Sequence, residues 1–194
     1  METRQFQHAP FSWGFSHPWM PMAFYLPLGF GLGLFSHYIQ PRPLNSILLW
    51  VLSGVLLWTL LEYFLHRFAF HSLTLKEPWR GLVAEAHLEH HRTAHTGEGI
   101  LVRPFFGFSL AVLIYFLLAA LTWGFSLPSL LLPGIFLGYL AYEWVHFGAH
   151  RFAWNSGLGK FMKSYHLHHH FKDPSRAFGV TSPFWDWVFG TRPV

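Results

Sequence analysis

Two long apolar stretches constrain this chain more than any other feature of its sequence. Residues 44–65 contain one acidic residue, Glu62, near the end of the stretch, and residues 105–125 contain no charged residue. About 20 consecutive apolar residues let a helix cross the hydrocarbon core of a bilayer. Only 11% of the 194 residues are charged, against about 25% in soluble domains. The sequence therefore predicts an integral membrane protein and argues against a small soluble enzyme.

Two further stretches extend this pattern to three or four membrane helices. Residues 127–147 contain one acidic residue, Glu143, near the end, and residues 19–36 are apolar but interrupted by prolines and glycines. Because membrane helices tolerate both residue types, we interpret 19–36 as a first span, with a re-entrant segment as the alternative. The prediction is an all-α integral membrane fold, with an N-terminal segment over residues 1–43 and a larger domain over residues 44–194.

The basic residues predict which side of the membrane the connecting segments occupy. Residues 126–128 join the last two stretches in a short hairpin, so segments 66–103 and 151–194 are expected on the same side. Of the 13 Lys and Arg residues, only Arg42 falls on the opposite side. By the positive-inside rule, both segments and the C terminus are cytoplasmic, in the inner membrane of a bacterium or the endoplasmic reticulum of a eukaryote. The basic residues are dispersed and no nucleic-acid-binding motif is present.

Histidine is the residue type that points to chemistry. Of 15 histidines, ten fall into four clusters that the predicted topology places at one membrane face. The clusters are His66-x4-His71, His87-x2-His90-His91, His146-x3-His150 and His166-x2-His169-His170. Residues i and i+4 share one face of a helix, so three clusters are expected to present convergent imidazoles. His66 and His71 would be about 140° apart on an α-helix, which predicts that the helix ends or distorts between them.

Ten imidazoles exceed what one metal ion can bind, whereas two ions with four or five ligands each would use them all. Imidazole suits Zn, Cu, Fe and Ni better than Mg or Ca. The absence of Cys excludes thiolate ligands. The remaining histidines are interpreted as packed or surface residues: His8, His17, His37, His95 and His168.

Two acidic residues precede histidines on the same predicted helices. Glu62 lies one turn before His66, and Glu143 lies three residues before His146. Carboxylates often orient metal-binding histidines, and acids near the end of a membrane helix are costly. We hypothesise that both hydrogen-bond the ligands, with snorkelling or a salt bridge as the alternative. Asp186, between two tryptophans, is interpreted as structural.

The four histidine motifs, in this order around a membrane hairpin, resemble those of the fatty acid hydroxylase/sterol desaturase superfamily. Residues 177–191, AFGVTSPFWDWVFGT, look like the ending of the fatty acid 2-hydroxylase type, and the resemblance covers residues 44 to 191. Carotenoid hydroxylases typically have HX4H where this chain has His146-x3-His150. Sterol desaturases generally begin with HX3H, which differs from His66-x4-His71.

The resemblance implies a membrane oxygenase that uses a dinuclear non-haem iron centre, O2 and two electrons to hydroxylate the acyl chain of a fatty acid or lipid. It implies that the ten clustered histidines are the metal ligands, that zinc can substitute for iron, and that this chain binds no haem or flavin. Residues 1–43 are too short for a cytochrome b5 domain, so a separate cytochrome b5- or ferredoxin-like electron donor is expected. The alternatives are a desaturase or a carotenoid- or sterol-type hydroxylase of the same superfamily and, more remotely, a non-catalytic metal- or haem-binding membrane protein.

Overall fold

The computed structural model describes residues 17–72, 76, 80–94, 100–102 and 104–194. These residues form α1 (Trp19–Ile39), α2 (Leu44–Phe64), α3 (Glu85–Thr93), α4 (Pro104–Leu121), α5 (Pro128–Arg151), α6 (Gly157–Phe171) and α7 (Phe184–Val188). Two π-helical segments, Leu65–Phe70 and Arg80–Ala84, continue α2 and precede α3. The predicted all-α fold is confirmed, since the described residues contain no strand. His8, His95 and the start of the 1–43 segment lie outside the described residues.

Four helices are long and apolar enough to cross a membrane: α1, α2 with its π-helical continuation, α4 and α5. The chain is therefore a multi-pass membrane protein. Helix α4 ends at Leu121 rather than at residue 125, because Trp123 adopts a φ of 52°. The Gly124 N–H then bonds to the Ala119 carbonyl at 3.0 Å, which closes the turn. Helix α5 continues past residue 147 to Arg151.

Helix α1 runs antiparallel to α5 along its whole length. At one end, the ring of His17 lies 6.2 Å from that of Phe147, between centroids. At the other end, the Ser36 hydroxyl donates a hydrogen bond to the Ser126 carbonyl at 2.8 Å. The N terminus of α1 therefore lies at the same end of the molecule as the C terminus of α5.

Helix α5 occupies the centre of the bundle, and the other three membrane helices surround it. Its membrane segment is largely buried, whereas α1, α2 and α4 expose large apolar side chains such as Phe30, Leu56 and Phe116. The close approach of α2 and α5 depends on two glycines. A Cβ added at Gly134 would lie 1.9 Å from the Val51 carbonyl oxygen, and one at Gly54 would meet the α5 backbone. Small residues at such crossings let membrane helices pack backbone to backbone.

Candidate metal centre

Five histidines converge at the ends of the helices to form what we term the first histidine group: His66, His71, His87, His91 and His169. The Nε2 atom of His87 lies 3.1 Å from that of His66 and 3.0 Å from those of His71 and His91. The Nε2 atom of His169 lies 2.9 Å from that of His71. The group therefore gathers nitrogens from the π-helical end of α2, from α3 and from α6.

The other five form the second histidine group: His90, His146, His150, His166 and His170. The Nε2 atom of His90 lies 3.0 Å from that of His146 and 3.2 Å from that of His150. The Nε2 atom of His150 is 2.9 Å from that of His166. All ten clustered histidines thus lie in one group or the other. Within the described chain, His17, His37 and His168 belong to neither.

Helices α3 and α6 each contribute to both groups. On α3, His87 and His91 face the first group and His90 faces the second; on α6 the assignment is reversed, with only His169 in the first group. The reason is helical geometry: positions i and i+4 are about 40° apart, whereas position i+3 lies about 60° away on the other side of i. The sequence predicted convergent imidazoles within each cluster, and the structure shows that each triplet is divided between the two groups.

The π-helical segment after α2 explains the unusual spacing of His66 and His71. The His71 N–H bonds to the His66 carbonyl at 3.2 Å, which is a bond from residue i+5 to residue i. Such a bond widens the turn, and π-helical turns are frequent at functional sites. His71 follows directly after the segment and is brought back towards His66. The predicted distortion of the helix between these residues is confirmed.

The convergent nitrogens have the chemistry of a metal site. The Nε2 atom of His87 has three other Nε2 atoms within 3.1 Å, and one ring nitrogen carries at most one proton, so hydrogen bonds cannot satisfy all these contacts. With metal–nitrogen bonds of about 2.1 Å, ligand nitrogens at right angles lie about 3.0 Å apart, against about 3.4 Å in a tetrahedron. The shortest Nε2–Nε2 separations, 2.9 to 3.2 Å, are in the range expected for nitrogens that bind one metal ion.

The protonation of the imidazoles also suits metal binding. Burial lowers the pKa of His71 to about 4. Burial and the neighbouring imidazoles lower the pKa of His91 to about 2, and burial and His71 lower that of His169 to about 3. These three rings are therefore neutral at pH 7, which is the form of imidazole that binds a metal ion.

Backbone carbonyls orient two rings of the first group. The Nδ1 atom of His66 lies 2.6 Å from the Phe178 carbonyl oxygen, and the Nδ1 atom of His169 lies 2.6 Å from that of Arg176. Since a carbonyl only accepts, each Nδ1 donates its proton and each Nε2 is left with a free lone pair. Sequence reasoning missed both contacts, because they are made by the backbone of a segment that has no periodic signal.

Glu62 and Glu143 do not make the direct histidine contacts that we expected. Glu62 accepts hydrogen bonds from the N–H groups of Val180 and Thr181, at 2.5 and 2.8 Å. Glu143 accepts from the Val102 N–H at 3.0 Å and from the Tyr139 hydroxyl at 2.5 Å. Among the described residues, neither carboxylate bonds a histidine or forms an ion pair. Glu62 instead satisfies two backbone N–H groups and Glu143 satisfies one, and a backbone N–H that is removed from water requires such a partner.

Asp186 has the structural role that the sequence suggested. It is fully buried and accepts hydrogen bonds from the N–H groups of Phe178 and Gly179, at 2.9 and 2.8 Å. A lone acid in an otherwise apolar segment was the sequence signal for this role, since a buried carboxylate must find donors.

An apolar cavity adjoins both histidine groups and extends between α1, α2, α4 and α5. Phe70 and Tyr142 form its end nearest the histidines; their rings contact those of His87 and His146, with centroids 5.2 and 5.5 Å apart. Along α4, residues 106–114 border the cavity, a length of about 12 Å. The cavity therefore runs from the histidines towards the middle of the membrane segment.

These features define a class: a helical membrane protein with a histidine-rich candidate metal centre at one end of its spans. Comparison with known proteins identifies the family. The model of the fatty acid hydroxylase family matches residues 51–191. The dihydroceramide fatty acyl 2-hydroxylase FAH2 of Arabidopsis thaliana is 36% identical over 183 residues, which cover 93% of this chain and 73% of the plant protein.

Other relatives indicate the same family. The fatty acid 2-hydroxylase of Rattus norvegicus is 30% identical over 190 residues, covering 89% of this chain and 50% of the rat protein. A solved structure described as full-length scs7p, with only the hydroxylase domain visible, matches with a TM-score of 0.81 and 28% identity, covering 94% of this chain and 69% of that one. This chain therefore belongs to the fatty acid hydroxylase family, as the histidine motifs predicted.

Proposed function

We propose that this chain is a membrane-bound di-metal oxygenase that hydroxylates the acyl chain of a fatty acid or lipid. The observation that carries the proposal is that ten histidines converge in two groups at the end of an apolar cavity. Carbon 2 of the acyl chain is the proposed site of reaction. The names of the plant and rat relatives, which are 2-hydroxylases, support this choice.

The ten histidines are the proposed ligands of two iron ions, one in each group. When bound, the ions supply the activation of O2 and the oxidation of the C–H bond. In the overall reaction, one oxygen atom of O2 enters the C–H bond and the other becomes water, which consumes two electrons and two protons. The electrons come from a separate protein of cytochrome b5 or ferredoxin type, and no haem or flavin is required in this chain.

The cavity gives the protein a way to place the substrate. An acyl chain that lies along α4 would bury its tail beside Gly107 and Ile114 and would present its first carbons to the histidines at the Phe70 end. The polar head group would then remain near the membrane surface, where the spans end. This arrangement favours reaction close to the head group, in accordance with position 2. Apolar and aromatic walls keep bulk water from the reacting carbon.

The positive-inside rule places the proposed centre on the cytoplasmic side of the membrane. The exposed basic residues at the end of α5 and beyond it, among them Arg151, Lys160 and Lys172, support this topology. The same face would be the one that an electron-donor protein reaches.

Metal analysis and lipid profiling test the proposal together. Purified protein from iron-supplemented cells is expected to contain two iron ions per chain, and cells that express it are expected to gain 2-hydroxylated acyl chains. His169→Ala should abolish the product, whereas His168→Ala is a matched control, because His168 is adjacent on α6 but lies outside both groups. A lipid that loses two hydrogens without gaining oxygen would identify a desaturase. A lipid profile indifferent to His169→Ala would contradict the proposal.

A further inference from the structure

Two buried carboxylates hold four consecutive backbone N–H groups of one segment near the C terminus. Asp186 accepts from Phe178 and Gly179, and Glu62 accepts from Val180 and Thr181. The Thr181 hydroxyl also donates to the second oxygen of Glu62, at 2.5 Å. The two acids come from distant parts of the chain and are 0% and 3% exposed. We term this arrangement the carboxylate clamp and residues 176–182 the clamped segment.

The clamped segment has a conformation that few sequences can adopt. Ala177 has a φ of 58°, in the left-handed region that side chains disfavour. A Cβ added at Gly179 would lie 2.1 Å from the Ser182 carbonyl oxygen. Backbone strain of this kind persists only when the surroundings fix it. The carboxylate clamp supplies that fixation through charge-assisted hydrogen bonds, which are stronger than bonds between neutral groups.

The clamped segment presents its carbonyls to the first histidine group. Phe178 and Arg176 bond to the Nδ1 atoms of His66 and His169, both at 2.6 Å. The backbone of Phe178 is therefore held on both sides: its N–H bonds Asp186 and its carbonyl bonds His66. A shift of the segment would turn both rings.

Three members of the second histidine group lack equivalent support in the described part of the chain. The Nδ1 atoms of His146, His166 and His170 are buried without a hydrogen-bond partner there. The two groups thus have the same number of imidazoles but different anchoring. Partners that fix the orientation of metal-binding histidines typically change metal affinity 10- to 100-fold.

We infer that Glu62 and Asp186 are positioning residues for the first histidine group alone, and that the two metal ions are held by unequally anchored ligands. The inference rests on the proposed function in one respect, namely that metal ions bind at both groups. It goes beyond that function because it gives two acids, neither of which contacts a histidine, a role in positioning the ligands of one of the two ions.

Metal binding by Asp186→Asn and Glu62→Gln in the full chain tests the inference. In Asp186→Asn the amide keeps the size of the carboxylate but presents an NH2 group to one of two N–H donors, which loosens the clamped segment. In Glu62→Gln the amide oxygen can still accept from Val180 and Thr181, but the charge that strengthens these bonds is lost. We expect a 10- to 100-fold loss of iron affinity at the first group and an unchanged affinity at the second. Mössbauer spectra should then lose or shift one of two iron components. His169→Ala and His166→Ala supply reference spectra that assign each component to a group.

Glu143→Gln is the matched control. Its carboxylate is as deeply buried, at 1% exposure, but it bonds Val102 and Tyr139 rather than the clamped segment. We expect it to leave the first-group component unchanged. Thr181→Val is a milder variant, since it removes one hydrogen bond to Glu62 and no charge. If the acid variants do not fold, a weaker first ion in Thr181→Val supports the inference.

The outcomes separate this inference from the proposed function. If the wild-type protein binds two ions and the clamp variants bind both with unchanged affinity and spectra, the inference is wrong and the proposed function stands. Equal weakening of both ions in folded Thr181→Val would also overturn it. If the wild-type protein binds no metal, the proposed function itself fails.

Discussion

The imidazole rings of His91 and His170 stack face to face, with centroids 4.0 Å apart and planes inclined by 12°. The two residues belong to different histidine groups, so this pair forms a shared wall between the two proposed metal sites. Loss of either ring of this pair is therefore expected to affect both sites.

His91→Ala should disturb both groups, whereas His71→Ala should disturb only the first. His91 offers its Nε2 atom to the first group and its ring to His170. Among the described residues, the ring of His71 contacts members of the first group and Phe178. We expect His91→Ala to lower iron affinity at the second group about tenfold as well, by analogy with the loss of other orienting partners. Iron content after dialysis against a chelator measures this. Equal retention of the second ion in both variants would argue against the shared wall.

Filling the cavity at Gly107 should shorten the acyl chain that the protein accepts. A Cβ at this position would lie 2.7 Å from the Tyr25 hydroxyl, so a larger side chain must occupy the cavity. Gly107→Leu is expected to lower kcat/KM for long acyl chains by at least about 10- to 200-fold, the usual range for one methylene group in an apolar pocket, and to spare short acyl chains.

Gly33→Leu is the control for this experiment, because no described atom lies within 4 Å of an added Cβ at Gly33. Product analysis with acyl chains of graded length gives the comparison. A uniform loss over all chain lengths in Gly107→Leu would contradict the assignment of the cavity to the acyl tail.

The crossing of α2 and α5 should not tolerate a methyl group. Gly134→Ala would force the helices apart, because the new Cβ would overlap the Val51 carbonyl oxygen. Overpacking of this kind costs about 1–3 kcal/mol, so we expect a lower melting temperature and weaker metal binding. Gly31→Ala, at a position with no described neighbour within 4 Å, should melt like the wild type. Thermal melts in detergent test both variants.

The metal-free protein should lose stability as the pH falls below about 6.5, the pKa of histidine in an unfolded chain. In the folded chain the pKa is about 4 for His71 and about 3 for His169, so the unfolded state binds more protons in this window. Each such histidine contributes about 1.4 kcal/mol per pH unit until the pH reaches its folded pKa. Melting temperatures from pH 7 to pH 5 should therefore fall steeply. A flat profile would show that these rings are not buried in neutral form.

Local patterns in the sequence were sufficient for the membrane helices and for the ten clustered histidines. The length of an apolar stretch and the i, i+4 spacing of histidines each lie within one segment, so they can be read without knowing how distant segments pack. The distortion between His66 and His71 was predictable for the same reason, since only a non-α turn brings the two rings together.

The partners of the buried acids were not predictable in this way. Glu62 bonds Val180, which is 118 residues away in the chain, and no periodicity connects the two positions. We expected a direct bond to histidine because an imidazole is the nearest polar group in the sequence. The Glu62 carboxylate instead accepts hydrogen bonds from backbone N–H groups of an irregular segment, which need an acceptor.

The division of the α3 and α6 triplets has a consequence for how the protein assembles. His169 belongs to the first histidine group, whereas His166 and His170, on the same helix, belong to the second. A slip of α6 by one residue would rotate all three rings by about 100° and empty places in both coordination spheres at once. Neither proposed metal site can form when α6 is out of register, so we expect both sites to form together or not at all.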